Sequence, residues 1–272
     1  MTTTENVNDE PSLDKIGNFL DEYVKHVHSR IDLRNGSDVP LDLYYGHVPS
    51  VFAGLLARQG TLTIKLALCP PLWDGHVAPM LLRGMVECLV TARWIMLDPL
   101  IRAAEYISYG LGQAKLTLSR MQNEIEDEPD PETKERLLSF AQMQESWIVS
   151  QRLIQFIDVN LGSWSGMSIR KMCEEIGDVD LYRFWFVPFS TTVHNTWQHV
   201  SVCNTKICTN PLHMEHRLSH IASRPMDADI MRMSAKFFDK LVIAFDDFYR
   251  LKFHDISAET FFRDGLMEIL EE

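Results

Sequence analysis

No apolar run in this 272-residue chain reaches the roughly 18 residues needed to cross a bilayer, so a membrane-spanning protein is not expected. An excess of positive charge is also missing. Lys and Arg number 26 against 38 Asp and Glu, a formal charge of −12, which excludes a protein that coats nucleic acid by bulk charge. Cysteine is scarce and odd in number: Cys69, Cys88, Cys173, Cys203 and Cys208. That count argues against a disulfide framework and for a reducing cytoplasm. The opening MTTTENVNDEPS has neither a basic nor an apolar stretch, so it does not read as a secretory signal. Strand signals are wanting too. No long stretch alternates with period two, and no repeat recurs at roughly 20–50 residues.

What the chain does have is helical period. Hydrophobic residues make up 46% and charged residues 24%, ordinary for a globular protein. Residues 1–11 are polar, and we expect them to be disordered. Ser12 then reads as an N-cap, followed at helical spacing by Ile16, Phe19, Leu20, Tyr23, Val24 and Val27. Further helices are expected over 49–68 and over the nearly continuous apolar stretch 77–97. Another follows Asp98-Pro99, because proline is favoured at the first helical position. Residues 122–136 carry seven acids against Lys134 and Arg136, with Pro129 and Pro131 among them, so a solvated connection is expected near 122–132. Helices are expected over 132–158, 168–176 and 179–202, the last with Pro188 inside. Residues 203–224 read as irregular. Ile230, Met233, Phe237, Leu241, Ala244, Phe245 and Phe248 form a clean stripe, and a last helix starts after Ser257. The expectation is all-α: one bundle-like domain over 12–272 with eight or nine helices and an irregular Cys/His-rich segment.

Two groups of polar residues sit in this apolar frame. Arg83 and Glu87 are four apart and share a helical face. With Arg93, Arg102, Glu105 and Tyr106 they form either internal salt bridges that fix helix register, or a polar pocket in which Arg83 binds an anion. Ser190 and His194 are likewise four apart, just past Pro188, whose missing N–H frees backbone groups for polar side chains or a ligand. His194 lies among aromatic residues and is either a satisfied interior histidine or a general acid or base. Arg83, Glu87, Ser190 and His194 are therefore the candidate catalytic set.

The densest segment follows. Five of the ten histidines fall between 194 and 220, with two of the five cysteines. The order is His199-x3-Cys203-x4-Cys208-x4-His213-x2-His216-x3-His220. Thiolates and imidazoles suit Zn²⁺, and Cys203, Cys208, His213, His216 and His220 are the candidate ligands. The alternative is an irregular loop whose imidazoles satisfy backbone groups or meet an anion. The seven residues between Cys208 and His216 are fewer than the roughly 12 of a ββα finger. Residues 203–224 set Lys206, Arg217 and Arg224 against Glu215, a locally basic stretch on an acidic protein and a footprint for phosphate.

Two resemblances reach these residues. The Arg83-x3-Glu87 helix, the Arg102-to-Tyr106 helix, the Ser190-x3-His194 element and the segment from Cys208 to Arg217 together resemble the bacterial domain-of-unknown-function family 5677. That family looks related to the HEPN helical proteins, many of which are RNases or partners in toxin–antitoxin and phage-defence systems and often dimerise. HEPN nucleases use an arginine, four to six residues, then a histidine. No arginine here fits that spacing, which puts RNase chemistry of that type in doubt. More narrowly, His199-x3-Cys203-x4-Cys208-x-Asn210-Pro211-x-His213 looks like the C-x-N-P-x-H segment of His-Me finger (HNH-type) endonucleases. That likeness implies His199 as the base and His213 as a metal ligand. Three function classes follow: a nucleic-acid- or nucleotide-acting protein, acting on RNA or DNA as a nuclease or other phosphate-ester hydrolase or within a defence system; a non-catalytic interaction module with a structural Cys/His segment and a protein partner; and a small-molecule enzyme with its site between helices.

Overall fold

The computed structural model describes residues 13–37, 46–151 and 164–271. The expected N-terminal disorder over 1–11, the Ser12 cap and the end of the helix expected over 132–158 lie outside them. The described residues are all-α apart from one small hairpin, with ten α-helices: α1 (Leu13–Asn35), α2 (His47–Ala67), α3 (Ala78–Leu97), α4 (Pro99–Asp127), α5 (Pro131–Ser150), α6 (Ile169–Glu175), α7 (Val187–Val193), α8 (Trp197–Cys203), α9 (Ala228–Tyr249) and α10 (Ala258–Glu271). No helix among them is long and apolar enough to cross a membrane.

The centre is built from α2, α3 and α9, which pack on one another. The apolar α3 contributes Leu82, Met85, Val86, Leu89, Val90 and Ile95, all buried. On α9 the stripe read from the sequence buries Ile230, Phe237, Leu241 and Phe245, with Met233, Ala244 and Phe248 half-buried, and the helix meets α2 and α3. Burial of each large apolar side chain stabilises by about 1.5–3 kcal/mol. The helices α1 and α10 close one side, and α6 and α7 pack on α3.

An ionic network that periodicity does not announce fixes α1. Its stripe of Phe19, Leu20, Tyr23 and Val27 continues into Arg30 and Arg34, both buried. Arg30 pairs with Asp239 of α9 and donates to Asp255 at 2.6 Å. Arg34 donates to Asp246 at 2.5 Å and to Asp255 at 3.0 Å. The Asp239 carboxylate also accepts the backbone N–H groups of Ala258 (2.8 Å) and Glu259 (2.9 Å), which satisfies the first turn of α10. Burial alone would raise the Asp255 pKa, but hydrogen bonds from Arg34 and Arg30 hold it well below the usual carboxylate range.

Two expectations change. The acidic connection is mostly helical: α4 runs through Asp127 and α5 begins at Pro131, leaving only residues 128–130 between them. Glutamate is a good helix former and Pro131 sits in the first turn, where a missing N–H costs nothing. Asp130 caps α5 by accepting the Thr133 N–H at 2.8 Å. The segment 203–224 is not wholly irregular either. It carries a two-stranded antiparallel hairpin, β1 (Thr205–Ile207) and β2 (Arg217–Ser219), with Lys206 opposite Leu218.

Candidate metal centres

The helix expected over 179–202 is broken twice, and the breaks position the polar groups. Residues 181–186 form a π-helical turn in which the Val187 N–H bonds to the Tyr182 carbonyl. Pro188 has no N–H for a regular bond to Phe184, and the wider turn accommodates this. The Ser190 hydroxyl donates to the Phe186 carbonyl at 2.6 Å, the back-bond of a helical serine to the carbonyl four residues earlier and not to the Phe184 carbonyl that Pro188 leaves free. Ser190 Oγ also accepts from Arg83 Nε at 3.0 Å, while Arg83 Nη1 lies 3.3 Å from Glu87 and the guanidinium stacks over Phe186 at 4.6 Å. Arg83, Glu87 and Ser190 thus meet between α3 and α7. His194 lies one turn beyond Ser190 at the end of α7, with an exposed ring outside this hydrogen-bonded group. The neighbouring charges are structural ties: Arg93 of α3 donates to Asp178 in the connection after α6 at 2.6 Å, and Arg102 of α4 to Glu175 of α6 at 3.0 Å while stacking on Trp94 at 3.7 Å.

The second break is at Asn195, whose φ of 50° ends α7. Asparagine tolerates this left-handed conformation better than most residues. The chain turns and restarts as α8, carrying His199 and Cys203 one turn apart on a buried face. Opposite them stands His76, in the loop before α3. Asp74 Oδ1 accepts the N–H groups of His76 (2.8 Å) and Val77 (2.7 Å) and fixes that loop. His76 Nδ1 faces His199 Nε2 at 2.8 Å, with the rings nearly parallel. His199 Nδ1 faces Thr192 Oγ1 at 3.2 Å and Cys203 Sγ at 3.8 Å, and Arg224 donates to that sulfur at 3.3 Å. Burial lowers the His199 pKa, and the facing His76 and Arg224 add to the effect, so its neutral form is favoured.

A third group lies on the hairpin connection. Cys208 is half-buried, and His213 and His216 are exposed. The Cys208 N–H bonds to the His216 carbonyl at 2.9 Å and the His213 N–H to the Asn210 carbonyl at 3.0 Å, so the connection folds back on itself. Cys208 Sγ is 3.7 Å from His213 Nδ1, and Asn210 Nδ2 is 3.2 Å from His213 Nε2. The donor atoms of Cys208, His213 and His216 all lie within 4.8 Å of one another, as do those of His76, His199 and Cys203. Zinc binds such ligands at about 2.0–2.3 Å, so both groups have a spacing that could hold one ion.

The five ligands read from the sequence are therefore divided. Cys208, His213 and His216 come together. Cys203 joins His199 and His76 instead. His220 belongs to neither group; it is exposed, and its backbone N–H bonds to the Asn204 carbonyl at 2.8 Å. His199, the base implied by the His-Me finger likeness, sits in the buried group and not beside His213. Sequence reading missed His76, which lies 123 residues before its partner. Its one local signal is Asp74-Gly75-His76, a loop stop before a long apolar helix. The other cysteines are set apart: burial pushes the Cys88 thiol up to about 12 and that of Cys173 up to about 11.

Beside the hairpin group lies an open cavity of about 770 Å³ lined by Trp197, Ile207, Glu215, His216 and Arg217. Arg217 donates to Thr205 Oγ1 at 3.1 Å and to the Ser201 carbonyl at 3.2 Å, and lies 5.9 Å over the exposed Trp197 ring. In comparisons with known proteins, residues 50–206 match a "family of unknown function (DUF5677)". No curated protein and no solved structure matches the chain. The matched span includes His76, His199 and Cys203 and ends within β1, before the hairpin ligands.

Proposed function

The chain belongs to the DUF5677 family, and we propose, from residues beyond the matched span, that it binds zinc through Cys208, His213 and His216 and acts on a phosphodiester of single-stranded nucleic acid. The observation that carries this reading is the meeting of three N/S donors on an exposed hairpin, next to a cavity lined by His216, Arg217, Trp197, Ile207 and Glu215. Three protein ligands leave a fourth zinc position open, and because His216 also lines the cavity a substrate oxygen can reach that position. A zinc ion so held polarises a phosphoryl oxygen and lowers the pKa of bound water.

The chain's own residues supply the rest. Asn210 braces the connection, its Oδ1 accepting the Leu212 N–H at 3.0 Å while its Nδ2 lies 3.2 Å from His213 Nε2. Arg217 is anchored by Thr205 and Ser201 and offers a guanidinium to a phosphate. The exposed Trp197 ring is a surface on which a base stacks, an interaction that tolerates sequence. Lys206 alternates away from the cavity face that Ile207 and Arg217 share. The whole-chain charge of −12 then confines binding to this patch.

Incubating the purified protein with labelled single-stranded RNA and DNA, with and without Zn²⁺, Mg²⁺ or Mn²⁺, tests the proposal. We expect metal-dependent binding and cleavage, lost in His213→Ala and weakened in Arg217→Ala. A second reading is favoured by Leu212 and Met214, each 87% exposed on the same connection, which suit a protein partner. Zinc bound without any binding or cleavage of nucleic acid supports that interaction module instead.

A further inference from the structure

We infer that His76, His199 and Cys203 form a second, buried metal site, of a class that takes zinc, and that it fastens the loop before α3 to α8. The inference does not rest on the hairpin. Three donors from two remote parts of the chain converge within 4.8 Å. His199 and Cys203 lie one turn apart and are 8% and 6% exposed.

The surroundings are those of a ligand set. The His76 backbone and the His199 ring are each held by something other than the facing imidazole. The His76 backbone is fixed by Asp74, and Thr192 Oγ1 takes up Nδ1 of His199, which leaves Nε2 directed at His76. Arg224 donates to Cys203 Sγ at 3.3 Å, where an N–H group offsets the charge of a thiolate. The two ring nitrogens that face each other at 2.8 Å can share one proton or one cation, not two protons. A cation between them requires that gap to open to roughly 3.3 Å, the spacing of two nitrogens each about 2.0 Å from a tetrahedral zinc. The change is within side-chain reach. Thiolate with imidazole favours Zn²⁺ over Mg²⁺ or Ca²⁺. Three protein ligands are on hand among the described residues, and a water completes the four.

The test is metal stoichiometry on the full chain, with Co²⁺ as a spectroscopic substitute for Zn²⁺. Metal-free protein is titrated, and bound metal and the thiolate-to-cobalt absorption are followed in wild type, Cys208→Ser, Cys203→Ser and the double variant. We expect Cys208→Ser to retain one equivalent with its thiolate band, and the double variant to have neither. If the hairpin proposal fails while this one holds, wild type binds a single equivalent that Cys203→Ser abolishes and Cys208→Ser leaves. A folded Cys208→Ser protein that binds no metal overturns the inference, as does a Cys203→Ser protein with wild-type stoichiometry. Should Cys203→Ser fail to fold, His76→Asn takes its place, with circular dichroism reporting the fold; the same loss of one equivalent is expected, and full retention overturns the inference.

Discussion

His76 Nδ1 and His199 Nε2 face each other at 2.8 Å across 123 residues of sequence. This pair divides the Cys/His-rich segment into two sites of different character. Cys203 points inward to the pair, within the DUF5677 match. Cys208 lies beyond that match and turns to His213 and His216 in the open. With three donors in each group, access separates them: burial closes the fourth position of the first to a substrate, and exposure leaves that of the second open to one.

The ionic network around Asp255 sets acid stability. Its folded-state pKa is held down by Arg34 and Arg30 against the opposing effect of burial. A carboxylate depressed on folding contributes stability that is fully present above its unfolded value of about 3.9 and is lost as pH falls through the folded value. Unfolding midpoints in urea should therefore decline below about pH 4 in wild type. Asp255→Asn should flatten that decline. At neutral pH it should cost about 3 kcal/mol, the low end for breaking a buried pair, because Arg30 keeps Asp239 and Arg34 keeps Asp246.

Gly265 of α10 packs against the ring of Phe19, which stacks with Phe261 and tilts against Phe262. Alanine is the better helix former by about 1 kcal/mol. Its Cβ meets Phe19 Cε2, so the buried ring must move, and overpacking costs about 1–3 kcal/mol. Overpacking wins, and Gly265→Ala should lower Tm by several degrees in a thermal melt.

Arg250 ends α9 with a φ of 58°, a conformation that glycine adopts freely and arginine does not. Arg250→Gly removes that strain and loses some of the gain to the freer unfolded chain. The expected net effect is a stabilisation of about 0.5 kcal/mol in denaturant unfolding.

Ser190→Ala removes the hydroxyl that bonds Arg83 and the Phe186 carbonyl. It should cost about 1 kcal/mol of stability in urea melts and leave metal content unchanged, since none of its partners is a candidate ligand.

Much of this was legible in the sequence because helix signals are local. The α9 stripe and the Asp98-Pro99 start of α4 needed no tertiary information. The hairpin was not legible: its strands, Thr205–Ile207 and Arg217–Ser219, are three residues each and mostly exposed, too short for alternation to show. The grouping of ligands was only half legible. Cys208, His213 and His216 are close in the chain, whereas His76 reaches its partners only through the packing of the loop before α3 against α8. Arg30 and Arg34 carry no local signal of burial, because their carboxylates come from α9 and the segment before α10, more than 200 residues away.

The most direct test of the central claim is zinc titration of wild type and His213→Ala, with bound metal measured by elemental analysis. The account predicts that wild type binds zinc on the hairpin and that His213→Ala loses one equivalent while remaining folded. A His213→Ala protein holding as much zinc as wild type would contradict it.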